Sequence, residues 1–363
     1  MATQNKVYRD LQKHLDTLPI GYPSAESGAE IRLLKRLFTP EEAKLATQLS
    51  WLPESPKQIY ERVKKTGMSI EELELMLDRM FKKGLISKRT EKGEKLYGNA
   101  FLAIGMYELQ VNRLTKDFLD DFWQYFNEAF VFEASRTKIP QLRTIPVEKS
   151  IPAERFVADY DSVRNLINHV SGEFAVANCI CRQERDIRGQ RCSVSDIRET
   201  CLLFDDIAEN YISMGIGRPI SKEEVFGILD KAQEAGFVLQ PTNSVKPEAI
   251  CCCCGDCCGV LSTLRQLPRP VEFYATNHYA VVDIALCSGC EECVKRCQLD
   301  ALKIEDDVAV INLDRCIGCG NCVAICPASA VTLHKKEKEL VPPKDWNALY
   351  ASIMTKKTEK GID

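Results

Sequence analysis

Histidine is scarce in this chain of 363 residues: there are four, at positions 14, 169, 278 and 334, and they form no cluster. That argues against a histidine-built metal or acid–base centre; His169, near the Cys179/Cys181 pair, is read as a surface or core residue. Long apolar runs are missing too. None reaches the roughly 20 residues needed to span a bilayer. The opening "MATQNKVYRDLQKHLDTL" has charges and amides where a secretory signal would have an apolar stretch. A soluble, cytoplasmic chain is expected. Charge of one sign is also lacking: 48 Lys+Arg against 52 Asp+Glu leaves −4, which gives no global pull towards nucleic acid or membrane. No Walker loop, Ser/His/Asp grouping or carboxylate pair stands out, and "GIGR" at 215–218 reads as a turn between helices.

What the chain has in excess is cysteine. Eighteen thiols occur in an otherwise ordinary globular composition of 45% apolar and 28% charged residues. In a reducing compartment they do not form a disulfide framework, and dense intracellular cysteine points to metal. The densest stretch is "AICCCCGDCCGVL" (249–261), where Cys251, Cys252, Cys253, Cys254, Cys257 and Cys258 crowd together.

The most specific pattern is "CSGCEECVKRCQ" (287–298) followed by "CIGCGNCVAICP" (316–327). Each is C-x2-C-x2-C-x3-C. Three thiolates at this spacing wrap an amide-rich loop around one [4Fe–4S] cube, and the fourth reaches the cube of the other repeat. The repeat resembles the bacterial-type two-cluster ferredoxins. That resemblance implies that Cys287, Cys290, Cys293 and Cys326 hold one cluster, and that Cys316, Cys319, Cys322 and Cys297 hold the other. Gln298 departs from the family, which has proline after the fourth cysteine. The implied chemistry is single-electron transfer at low potential.

Ten cysteines remain. "NCICRQERDIRGQRCSVSDIRETCLLF" (178–204) supplies Cys179, Cys181, Cys192 and Cys201, and the 251–258 stretch supplies six more. In an extended run successive side chains face opposite ways. Four consecutive cysteines therefore suit two sites better than one. One or two further [4Fe–4S] clusters are expected, with structural zinc at one site as the alternative. Each site is either local to its own segment or shared between the two. The order "CICR…C…CL", "GIGRPISKEE", "CCCCGDCC" and a ferredoxin pair also resembles multi-cluster iron–sulfur proteins of anaerobic bacteria and archaea. That likeness implies electron transfer but no particular substrate.

The expected architecture is multi-domain α+β. Residues 1–28 read as an N-terminal lead. Residues 29–100 resemble a winged helix: Thr39/Glu42, Ser55/Gln58 and Ser69/Glu72 open three capped helices, and a charged hairpin turns at Gly93. Residues 101–150 read as a helical arm, from the pattern at 106–134, and a linker marked by Pro140 and Pro146, with Pro152 just beyond. A mainly helical Cys-rich domain is expected over 151–270, with Ser221 and Glu224 capping a helix that ends near Gly236. The dicluster ferredoxin domain follows over 271–335. A docking helix at 336–363 carries Trp346, Leu349, Tyr350 and Ile353 on one stripe and ends in a fraying "KKTEKGID".

The function expected is electron relay between redox protein partners, as a component of a larger oxidoreductase. Two alternatives come from the same residues. One is a redox-sensing, DNA-binding regulator, opposed by Glu71, Glu72 and Glu74 at the start of the third helix. The other is a catalytic iron–sulfur site at Cys251–Cys258.

Overall fold

The computed structural model describes residues 2–151 and 158–359. The chain forms two compact units: one runs to Thr137 and includes the segment from Tyr350 onward, the other is Lys138–Leu349.

The first unit is mainly helical. The expected N-terminal lead is instead a core helix, α1 (Ala2–Asp16), with Leu11 and Leu15 buried and the Tyr8 hydroxyl donating to the Phe38 carbonyl. Next come α2 (Ala29–Leu37), α3 (Pro40–Ala46), α4 (Pro56–Val63) and α5 (Ile70–Lys82). The last three open on reciprocal caps: Thr39, Ser55 and Ser69 each accept from the N–H three residues on, and Glu42, Gln58 and Glu72 return the bond. The hairpin β1 (Ile86–Glu91) and β2 (Glu94–Asn99) turns at Lys92 and Gly93, both at positive φ, the geometry that matches strand twist.

The helix expected from residue 106 begins ten residues later. Asn112 is left-handed, and Thr115 caps α6 (Lys116–Tyr125) through the Phe118 N–H; a wider turn at Phe126–Phe130 leads into α7 (Val131–Ser135). Near the C-terminus the helix α15 (Trp346–Glu359) stacks Tyr350 on Phe101 at 4.4 Å. The expected fraying is not seen through Glu359, because Lys357 is buried and donates to Glu133 Oε1 at 3.0 Å. Residues 360–363 lie outside the described residues.

The second unit contains the thiols. Its elements are α8 (Val163–Asn168), β3 (Phe174–Asn178), α9 (Ile180–Ile187), β4 (Glu199–Phe204), α10 (Asp205–Ser213), β5 (Arg218–Pro219), α11 (Lys222–Glu234), β6 (Val238–Pro241), β7 (Ala249–Cys253) and α12 (Gly259–Arg265). The strands form one antiparallel sheet in the order β5-β3-β4-β7-β6. The expectation of a mainly helical segment over 151–270 did not include this sheet. The strands are short apolar runs without clear alternation, and periodicity alone cannot separate those from pieces of buried helix. The cap at Ser221 does form, its hydroxyl accepting the Glu224 N–H.

The expected linker is also packed. Ile145 and Val147 are buried, and Ile145 bridges Leu239 on the outer strand β6. Prolines 140 and 146 restrict this pairing to isolated bridges, since proline has no N–H to donate; Pro152 lies outside the described residues.

The ferredoxin repeat follows as β8 (His278–Val282), α13 (Glu292–Arg296), β9 (Leu302–Glu305), β10 (Val308–Ile311), α14 (Asn321–Ile325) and β11 (Val331–Lys335). β8 pairs with β11 and β9 with β10, so each repeat contributes a strand, a short helix and a strand. It folds as one unit with the sheet, with no break near residue 270: Asn321 Nδ2 donates to the Gly236 carbonyl at 3.0 Å, and Val147 N to the Cys319 carbonyl at 2.9 Å. In the last helix, α15, the residues from Tyr350 onward belong to the first unit.

Candidate metal centres

The two ferredoxin repeats bring their thiols into two separate cavities. Cys297, Cys316, Cys319 and Cys322 line one, with Leu302 and Ile317 in its wall. Cys287, Cys290, Cys293 and Cys326 line another, with Ile304 and Val331. In each set three thiols come from one repeat and the fourth from the other. Backbone amides point at the sulfurs: Ala280 N lies 3.5 Å from Cys316 Sγ, Ala301 N 3.2 Å from Cys297 Sγ and Ala309 N 3.3 Å from Cys287 Sγ. Gly318 carries its loop against the His278 carbonyl, where an added Cβ would come within 2.1 Å.

Burial pushes Cys293, Cys297 and Cys322 above the ordinary thiol range and Cys319 up to about 12. Left bare, these groups would stay protonated. An electron-poor metal is what would ionise them, and the amides then stabilise the resulting thiolates. Cavity, thiol set and amide donors all fit an iron–sulfur cluster.

The other ten cysteines sort into two groups that cut across the sequence segments. Cys251 and Cys253 lie on the same side of β7, as alternation requires. Cys201 sits opposite Cys251 on β4, Cys179 and Cys181 stand at the start of α9, and Cys258 opens α12. Their thiols neighbour one another in the order Cys179, Cys181, Cys258, Cys253, Cys251, Cys201. The second group is Cys192, Cys254 and Cys257. Cys252 joins neither: it is buried in the apolar layer and its thiol is pushed up to about 12, mainly by that burial.

The six-thiol group lies beside the ferredoxin site. Cys251, Cys253, Cys258 and Cys319 share one apolar cluster with Val238, Leu261, Tyr274, Leu299 and Ile317.

Four polar residues around these thiols were not singled out as functional by the sequence. Arg182, one position after Cys181, is 1% exposed; its guanidinium reaches Thr200 Oγ1 at 2.5 Å, the Cys252 carbonyl at 3.4 Å and Cys254 Sγ at 3.3 Å, and lies 4.1 Å over the Phe237 ring. Asp256, between the two cysteine pairs, faces Cys192. Gln298 is buried and bonds the Gly255 N–H. Tyr274 has a buried hydroxyl with no hydrogen-bond partner among the described residues.

A family model described as a 4Fe-4S dicluster domain matches residues 279–327. The match and the fold together make this C-terminal segment a ferredoxin-like iron–sulfur domain. No curated protein and no solved structure matches the chain. No helix among the described residues is long and apolar enough to cross a membrane.

Proposed function

We propose that this chain relays single electrons at low potential between redox protein partners, as a component of a larger oxidoreductase. The observation that carries the reading is the pair of crossed thiol sets, each around its own cavity inside the matched dicluster segment. Cys287, Cys290, Cys293 and Cys326 would hold one [4Fe–4S] cluster, and Cys297, Cys316, Cys319 and Cys322 the second. When bound, such clusters supply one-electron transfer without proton or bond chemistry. The protein's part is to exclude water with Ile304, Ile317 and Val331 and to direct the amides of Ala280, Ala301 and Ala309 at the sulfurs.

The six-thiol group extends the path. Cys179, Cys181, Cys201, Cys251, Cys253 and Cys258 would hold a third iron–sulfur centre, and three of them, Cys251, Cys253 and Cys258, share an apolar cluster with Cys319. The exposure of Cys290 favours the Cys287/Cys290/Cys293/Cys326 site as the point of contact with a partner. Burial of Cys253, Cys254, Cys257 and Cys258 speaks against substrate chemistry at 251–258. The arrangement of α3, α4, α5 and the hairpin supports a winged-helix reading of the first unit. The exposed carboxylates of Glu71, Glu72 and Glu74 on α5 favour a protein surface over a phosphate backbone as its contact.

Anaerobic purification followed by iron and sulfide counting and an EPR-monitored redox titration tests the reading. More than eight irons, with at least three separable one-electron signals, is the expected outcome. Colourless protein without acid-labile sulfide would end it, and eight irons alone would remove the third centre.

A further inference from the structure

The group Cys192, Cys254, Cys257 and Asp256 differs in kind from the other thiol sets. Its four ligand atoms all lie within 4.8 Å of one another, and among the described residues no other set of three or more Cys, His, Asp or Glu is drawn so close. Cys192 Sγ stands 3.7 Å from Cys254 Sγ and 3.6 Å from Asp256 Oδ1. A tetrahedral zinc with bonds of about 2.3 Å to sulfur and 2.0–2.2 Å to oxygen implies S···S edges of about 3.8 Å and S···O edges of about 3.6 Å. A cube, by contrast, gives each thiolate its own iron and holds the sulfurs farther apart. The ferredoxin thiols of this chain line cavities instead, and neither set is drawn within 4.8 Å.

The surroundings agree with a single ion. Asp256 Oδ2 accepts from Ser193 N at 2.8 Å and Ser193 Oγ at 2.9 Å, so one oxygen is fixed by the protein while Oδ1 faces Cys192. That is how a monodentate carboxylate ligand is oriented from behind. All three cysteines are buried. Four protein ligands leave no position for substrate, which is the pattern of a structural rather than a catalytic zinc. Three thiolates and a carboxylate around a divalent ion leave two negative charges, and the Arg182 guanidinium, 3.3 Å from Cys254 Sγ, offsets one of them.

We infer that Cys192, Cys254, Cys257 and Asp256 form a mononuclear, tetrahedral zinc site that fastens the loop between α9 and β4 to the turn after β7. The site is independent of the electron-transfer reading, because it shares no ligand with the six-thiol group or the ferredoxin cavities. Residues 188–198 themselves form neither strand nor helix.

The test uses the full chain, purified anaerobically without added metal. Metal analysis is expected to find one zinc per chain beside the iron, and absorption spectroscopy at the zinc edge three sulfurs and one oxygen. Asp256→Ala should weaken zinc retention against a chelator by at least tenfold while leaving the iron count unchanged. A zinc bound by four sulfurs would overturn the assignment, since that would place it in a thiol-only site. So would zinc-free protein in which Cys192→Ser loses several irons, because the group would then belong to a cluster. The edge measurement needs only the unaltered chain, so a variant that fails to fold does not leave the question open.

Discussion

Gln298 Oε1 accepts the Gly255 N–H at 2.7 Å, joining the turn of the thiol-rich strand to the residue that follows Cys297. The contact is tight enough that a Cβ on Gly255 would come within 2.4 Å of the Gln298 carbonyl oxygen. Proline at 298 would stiffen the backbone but offer no side-chain acceptor. Gln298→Ala leaves the buried Gly255 N–H unpaired, a loss of about 1–3 kcal/mol. Gly255→Ala overpacks the same spot by a similar amount. Both should lower the thermal midpoint while the iron count stays at its wild-type value. A wild-type midpoint in either variant would show that the bond does not couple the two segments.

That pair also shows where the sequence was readable. The departure at Gln298 is visible in the repeat, but its partner lies 43 residues away and only the fold supplies it. The crossed thiol sets and the capped helices depend on spacing within a few residues, and those features are local. The sheet of β3, β4, β6 and β7 was hidden because buried strands lack alternation. Asp256 was hidden because one carboxylate among cysteines carries no spacing signal; Ser193, which orients it, is 63 residues distant. Alternation along residues 251–254 puts Cys251 and Cys253 on one face but leaves Cys252 among the candidates, since facing a given side does not ensure a partner there.

Arg182 offers a test whose sign is informative. Its partners are a hydroxyl, a carbonyl and a thiol, and none is a carboxylate. If the neighbouring sulfurs are metal-bound thiolates, Arg182→Met strips them of their buried counter-charge and should cost about 3–5 kcal/mol. If they were neutral thiols, the same change would remove an uncompensated cation and stabilise the fold. Denaturant unfolding of the metal-loaded protein separates the two. Destabilisation is expected.

The ferredoxin sites differ in exposure. Cys290 is exposed, whereas Cys316 and Cys322 are buried. Oxidants should therefore reach the Cys287/Cys290/Cys293/Cys326 site first. The variants Cys316→Ser and Cys287→Ser each weaken one site and leave the other to be followed alone. Visible absorbance under brief exposure to air should bleach several-fold faster in Cys316→Ser, which keeps the exposed site. Equal rates, or the reverse order, would contradict the assignment of Cys290 to the outer site.

Tyr274 lies in the apolar cluster that contains Cys253, Cys258 and Cys319. Its hydroxyl is buried without a partner, and burial first, then those three sulfurs, push the phenol well above its usual range. A neutral O–H held among sulfurs is a donor in need of an acceptor, and a sulfide or thiolate of a bound cluster would provide one. Hydrogen bonds to cluster sulfur stabilise the reduced, more negative state and raise its potential. Tyr274→Phe should therefore lower the midpoint potential of one or both neighbouring centres, while the iron count and the signal of the Cys287 site stay unchanged. If the hydroxyl were only an unpaired polar atom in the core, its removal would stabilise the fold by about 1 kcal/mol or more and leave every potential where it was. The redox titration and the melting curve of this one variant thus give opposite answers for the two roles, and a shift confined to the centres beside Tyr274 would also place the six-thiol group next to Cys319 in the electron path.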